Sequence, residues 1–166
     1  LEALQSAGVD AHGLDPADGA AGPDPDLDEL NAALPAYELQ VVLGRGGMGT
    51  VYRARHAKLD RLVAIKVLRP PGGDAEAAAF AERFEREAQV LARLDHPNIV
   101  RIHDFGHTGA PLDLHYLVLE YVEGASLRQL LQDGRLTAHE ALELVPQICA
   151  ALQTAHGLGI VHRDIK

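Results

Sequence analysis

Apolar and polar positions divide this chain at about Tyr37. Residues 1–36 show little periodicity and no aromatic residue; they are rich in Ala, Asp, Gly and Pro, and Asp24-Pro25-Asp26 and Leu34-Pro35 punctuate their end. Such a composition buries too little apolar surface to offset chain entropy, and it predicts a disordered leader or linker. From Tyr37 onward, short apolar-rich runs bounded by Gly and Asp predict strands. These are Tyr37 to Leu43, the alternating Val51-Tyr52-Arg53-Ala54-Arg55, and the β-branched Leu62-Val63-Ala64-Ile65-Lys66-Val67-Leu68. Lys58-Leu59-Asp60-Arg61 reads as the hairpin turn between the second and third runs, and Pro70-Pro71-Gly72-Gly73 breaks the sheet.

Helical periodicity follows. Asp74 can cap a helix running to about Leu94, on which Phe80, Phe84, Leu91 and Leu94 share one face. Asp95-His96-Pro97 ends it, because proline disfavours the helical conformation in the residue before it. Two more strands are predicted around Ile99–Phe105 and Leu114–Val122. Two helices come next, opened by the capping boxes Ser126-x-x-Gln129 and Thr137-x-x-Glu140. The second is apolar through Leu144, Ile148, Leu152 and Ala155, and Pro146 within it predicts a kink or an adjusted turn. Gly157-Leu158-Gly159-Ile160-Val161 reads as a helix stop and a short strand. No internal repeat is present.

Composition narrows the picture. A length of 166 residues suits one domain with a real core. The net charge of −9 is uneven: eight of the 24 acids lie in residues 1–36, which hold no Lys or Arg. The other 16 acids face all 15 basic residues, a balance of −1. A nearly neutral folded part argues against nucleic acid as the main partner. Cys149 is alone, which excludes a disulfide within the chain, and its apolar helical setting predicts an inert core thiol. No apolar run approaches the ~20 residues of a membrane span, and the acidic start is unlike a signal peptide, so a cytoplasmic protein is expected.

The chemistry begins at Gly44-Arg45-Gly46-Gly47-Met48-Gly49-Thr50-Val51, a match to G-x-G-x-x-G-x-V. Dinucleotide-binding folds share the glycine spacing, but there the glycines open a helix and an acidic residue follows ~20 positions later. Here they lead into an alternating strand and a lysine. A Walker A loop is excluded, since Thr50 follows Gly49 where Lys is required. What remains is a hairpin whose side-chain-free tip lets backbone N–H groups approach phosphates. Met48 at the tip would cover the site.

Two buried charges point the same way. Strand alternation puts Lys66 on one face with Ala64 and Leu68, an ammonium aimed at an apolar surface. Glu87 lies at the centre of the stripe Phe80, Phe84, Leu91, Leu94, whereas Glu85 falls off it. Burying either charge alone is costly, so the economical solution pairs them across a strand–helix interface, with the ammonium also reaching a ligand's phosphates. Farther on, Tyr116-Leu117-Val118-Leu119-Glu120-Tyr121-Val122-Glu123-Gly124 leaves a strand for a helix, and the chain closes on His162-Arg163-Asp164-Ile165-Lys166.

Taken in order, Leu43–Tyr52, Val63–Val67, Arg83–Val100 and Ala155–Lys166 resemble the bacterial eukaryotic-like (Hanks-type) serine/threonine protein kinases, over residues 37–166. The resemblance implies an α+β fold: a five-stranded antiparallel N-lobe sheet with one long helix, then the first helices of a helical C-lobe. Residues 37–122 would form the N-lobe with its hinge and 123–166 the start of the C-lobe, behind the acidic leader 1–36. It implies ATP held by Leu43, Gly44, Arg45, Gly46, Gly47, Met48, Gly49, Val51, Ala64, Lys66, Leu119, Glu120 and Val122, with Leu119 as gatekeeper. Val51 and Ala64 would sandwich the adenine, and the backbone of Glu120 and Val122 would bond its edge. Ser126 is better explained as a helix cap than as a ribose contact. Asp164 would orient the substrate hydroxyl and accept its proton, Lys166 would neutralise phosphoryl charge, and the Lys66–Glu87 pair must form for activity. His162 is expected to be a packed structural residue, and Arg163 to contact a phosphorylated activation loop.

Mg²⁺ is implied too, but its ligands, an Asn about five residues past Asp164 and the D-F-G aspartate, would lie beyond Lys166. With Leu1 where an initiator Met would stand, the expectation is a fragment of a kinase, inactive alone, whose parent phosphorylates protein Ser/Thr hydroxyls. Homodimerisation is compatible with this. The alternative is a nucleotide-binding regulatory module or pseudokinase. Such proteins commonly lose the strand Lys, the helix Glu or the catalytic Asp, and all of Lys66, Glu87 and Asp164 are here. A scaffold that merely kept the sheet would not need that set.

Overall fold

The computed structural model describes residues 25–46, 49–72 and 74–162. Their strands are β1 (Tyr37–Gly46), β2 (Gly49–His56), β3 (Arg61–Leu68), β4 (Ile102–His107) and β5 (His115–Glu120). They form one five-stranded sheet in the order β1-β2-β3-β5-β4, with every neighbouring pair antiparallel. The helices are α1 (Leu27–Ala33), α2 (Asp74–Leu91), α3 (Leu127–Gln132) and α4 (Ala138–Gly157). The α+β architecture expected from the sequence is therefore present.

The continuous apolar run of β3 has a simple cause: a central strand covered on both faces has no side to leave polar. On one face Val63, Ile65 and Val67 pack with Leu39, Tyr52, Ala54, Leu114 and Val118. On the other, Ala64 and Leu68 pack with Val51, Leu117 and Leu119 under Phe80, Phe84 and Ala88 of α2. The turn between β2 and β3 occupies residues 57–60, with Asp60 at φ 50° and its carboxylate paired to Arg55.

The leader expectation needs correction at its end. Residues 27–33 are helix α1, opened by a capping box between Asp26 and Glu29. Leu30 is 0% exposed, and with Leu34 it joins the core on the sheet face opposite α2, where Leu27 packs beside them. Asn31 Oδ1 accepts from the Leu39 N–H at 2.7 Å, which satisfies a donor on edge strand β1. An apolar sheet face needs only Leu27, Leu30 and Leu34 (i, i+3, i+7) to hold a short helix, and composition averaged over 36 residues hides such a triplet.

Other boundaries moved by a few residues. Helix α2 ends at Leu91 and continues as a turn, with Leu94 N–H bonded to the Leu91 carbonyl; β4 starts three residues late, at Ile102. No strand forms at Ile160-Val161. Both predicted capping boxes are made: Gln129 N–H donates to Ser126 Oγ and Glu140 N–H to Thr137 Oγ1, each at 3.2 Å. Leu94, Ala155 and Ile160 bring the end of α2 against the end of α4. Pro146 sits inside the helical span of α4.

Cys149 was expected in the core and is exposed. Only Ala151 and Ala155 of α4 are buried, while Leu142 is 69% exposed and Val145 and Ile148 are open to solvent. The apolar stripe exists, but no element among the described residues covers that part of it. No helix among them is long and apolar enough to cross a membrane.

Candidate active site

The glycine hairpin forms at the β1–β2 end, where Gly44 pairs with Val51, Arg45 with Thr50 and Gly46 with Gly49. Gly47 and Met48, expected at its tip from the sequence, lie outside the described residues. Gly49 has a packing role that the sequence did not announce. A Cβ on it would sit 2.0 Å from the carbonyl oxygen of Val67 on β3, so only glycine lets the two strands approach there. β1 shifts register between Val42 and Gly44, and Leu43 in that step packs on the α2 side of the sheet.

Beneath the hairpin lies an apolar floor. Val51, Ala64 and Leu119 are all buried in one cluster, Ala64 directly opposite Leu119 and Val51 directly opposite Lys66. Lys66 is 5% exposed and Glu87 7%, the charged pair of residues that strand alternation and the helix stripe singled out. Neither is without a partner. Ala64 and Leu68, which flank Lys66 on its face, pack in the same cluster as Phe84 and Ala88, which flank Glu87. Both charges thus sit at the interface of β3 with α2, in surroundings that would penalise either alone.

At the far edge of the floor, β5 ends at Glu120. The Glu120 N–H donates to the Arg101 carbonyl at 2.8 Å, so that donor is committed within the sheet. Val122 is 57% exposed in the segment leading to α3. Ser126 serves α3 as its N-cap, as expected. On β4, His103 lies in a register shift next to this segment; burial, then Arg61, holds its imidazole below the usual range. Asp164 and Lys166, with Arg163, lie outside the described residues. His162 before them is exposed and engaged in an interaction.

Sequence reasoning passed over His115. It is 6% exposed on the same sheet face as Leu117 and Leu119, with its ring 5.2 Å from Phe80 and 4.9 Å from Phe84. Burial first, and the His107 charge second, hold it below the ordinary histidine range. The alternation that exposed Lys66 as an anomaly carried the same signal here, in Leu114-His115-Tyr116-Leu117.

A glycine hairpin over an apolar floor, with a buried lysine and glutamate where strand meets helix, is the build of a protein-kinase N-lobe. The protein kinase domain matches residues 37–166. The chain belongs to the protein kinase family. It is 48% identical over 132 residues to a probable serine/threonine-protein kinase of Streptomyces coelicolor, covering 78% of this chain and 19% of that protein. It is 48% identical to the serine/threonine-protein kinase PrkC of Bacillus subtilis, with the same coverage, and 46% to PknB of Mycobacterium leprae, covering 78% and 21%. The chain thus spans about a fifth of the length of these relatives. Among solved structures, the Mycobacterium tuberculosis PknI kinase domain superposes with TM-score 0.62 at 36% identity, over 79% of this chain and 52% of that one. The apo form of PpkA-294 superposes with TM-score 0.66 at 29% identity and the same coverage.

Proposed function

We propose that the protein carrying this chain transfers the γ-phosphoryl group of ATP to Ser or Thr hydroxyls of proteins. The burial of Lys66 and Glu87 beside the floor of Val51, Ala64 and Leu119 carries this reading, because a purely architectural role is poorly served by buried charges. Adenine lies between the glycine hairpin and that floor, bounded by Leu119. The Glu120 contribution to it is a carbonyl, its N–H being taken by Arg101. Lys66, oriented by Glu87, neutralises phosphate charge, and the hairpin's N–H groups cradle the phosphates. Asp164 accepts the proton of the attacking hydroxyl and Lys166 offsets charge on the group in transfer. Lys at this position, two residues after the aspartate, accompanies Ser/Thr specificity in the family that the sequence resembles.

Among the described residues no cluster of His, Cys, Asp or Glu is arranged to hold a metal ion. Mg²⁺, when bound with ATP, supplies charge neutralisation at the phosphates, and we assign its ligands to the segment that follows Lys166 in the family pattern. Residues 37–122 and 123–166 are assigned to the N-lobe with hinge and to the early C-lobe, with α1 docked on the N-lobe sheet; residues 1–166 alone transfer no phosphate.

Lys66→Met in the intact protein tests the reading: phosphotransfer and ATP binding are abolished while the circular dichroism spectrum is unchanged. Undiminished phosphotransfer by that variant would overturn the assignment. Mg-ATP-dependent phosphotransfer by residues 1–166 alone would overturn the assignment of the metal ligands.

A further inference from the structure

Helix α2 carries Glu87, so whatever holds the helix on the sheet governs the Lys66–Glu87 meeting. Its anchors are aromatic. Phe80 and Phe84 lie two turns and one turn ahead of Glu87 on the same stripe, with their rings 6.1 Å apart. Phe84 also meets Phe105 of β4 edge-on at 6.2 Å. The imidazole that receives both phenylalanines is His115, and a second imidazole, His107 of β4, lies 4.8 Å from it. His115 pairs with Leu68 across the β3–β5 ladder, and Lys66 pairs with Leu117. The imidazole and the catalytic ammonium are therefore on one sheet face, one pleat repeat apart, under one helix.

We propose that His115 is a positioning residue: its neutral ring seats Phe80 and Phe84, and gaining a proton there loosens α2 and withdraws Glu87 from Lys66. This rests on the kinase reading of that pair. The groups that face His115 are His107 on β4, Asp113 in the β4–β5 connection and Glu85 on α2. A charged ring would be drawn to the phenylalanine faces and to the two carboxylates. Burial and the His107 charge oppose it and prevail, since His115 is held below its usual range with burial as the largest cause. Asp113 is largely engaged elsewhere, its Oδ1 lying 2.8 Å from His107 Nε2. The direction follows: a ring released from the helix takes its proton near pH ~6.5, the seated ring only at lower pH. The seated state is favoured above that range and loses ground as pH falls through it.

The test uses the intact protein that carries this chain, with ATP as the probe, between pH 8 and pH 5.5. For the wild type, KM for ATP should rise as the pH falls, by at most about tenfold per unit, since one proton is exchanged. His115→Phe fills the same space without titrating and should flatten that rise to less than about twofold. His107→Gln relieves the seated ring of a neighbouring charge at an exposed site and should shrink the rise at low pH, while Asp113→Asn should enlarge it. Hydrogen exchange of residues 74–91, corrected for intrinsic rates, should quicken at low pH in the wild type and not in His115→Phe. An unchanged pH profile in His115→Phe overturns the proposal, as does an undiminished rise in His107→Gln should the Phe variant not fold. If the protein transfers no phosphate at any pH, the kinase reading falls. Hydrogen exchange then decides alone: pH-dependent opening of 74–91 that vanishes in His115→Phe upholds the seating role, and pH-independent opening overturns it.

Discussion

Truncating Leu30 to Ala asks whether α1 belongs to the folded domain. Leu30 is fully buried among Leu34, Tyr37, Leu39, Tyr52, Val63 and Ile65. The change removes three carbons, worth about 2.4 kcal/mol at ~0.8 per buried methylene. A rigid cavity would add to this, and Leu→Ala changes in cores span about 2–5 kcal/mol. Here the cavity contribution should be small. A seven-residue helix has almost no stability of its own, so α1 persists because it is docked. Its other holds are Leu27, Leu34 and the bond that Asn31 Oδ1 accepts from the Leu39 N–H. Once Leu30 is gone the helix should undock and let water reach the sheet, which caps the loss at its docking free energy. We expect about 2–3 kcal/mol in urea unfolding followed by circular dichroism, or a Tm lower by roughly 5–10 °C for a domain of this size. Faster hydrogen exchange at Leu39 should accompany it. Leu30→Met, which conserves volume, should cost less than about 1.5 kcal/mol. A loss under about 0.5 kcal/mol for Leu30→Ala, the range of surface substitutions, would refute the docking of α1.

Three further outcomes are expected. Gly49→Ala should force β2 away from the Val67 carbonyl and weaken ATP binding, measured by calorimetry, while Gly72→Ala, with open space around it, should not. Tyr37, buried and donating to Asp104 at 3.3 Å, is pushed up to about 12, by burial first and Asp104 next. The folded state therefore keeps a proton that the unfolded chain releases near pH ~10, so stability is whole below that pH and falls as pH rises toward about 12. Tyrosinate absorbance and alkaline unfolding should both show this, and Tyr37→Phe should flatten the stability loss. Thr137→Ala should return the Glu140 carboxyl, held low chiefly by its bond from the Thr137 N–H and then by the hydroxyl, toward its ordinary range. NMR titration of that carboxyl would check it; the first turn of α4 should fray with it.

The residues of the site were legible where they broke a local rule. Lys66 in an apolar strand, Glu87 in an apolar stripe and glycines at a hairpin tip are anomalies at ranges of two to seven residues, which periodicity can detect. Strand and helix existence followed from the same periods, and the capping boxes from a spacing of three. Boundaries were less legible. The end of α2 and the start of β4 depend on which backbone groups find partners in the turn around His96 and Ile99.

What the chain order determined by itself is the five strands of the sheet and helices α2 to α4, the two misplaced charges and the glycine motif, because each is written in neighbouring residues. The tertiary structure decided the rest. Leu30 is in the core only because the far face of β3 is apolar and open to it. Gly49 must be glycine because Val67 crosses beside it. His115 matters because α2 folds back and sets two phenylalanines on its ring. Cys149 and the stripe of α4 face solvent because burial needs a second surface, and none among the described residues reaches them. Each of these is a contact between residues distant in sequence, and no periodicity along one segment specifies what the opposite surface will be.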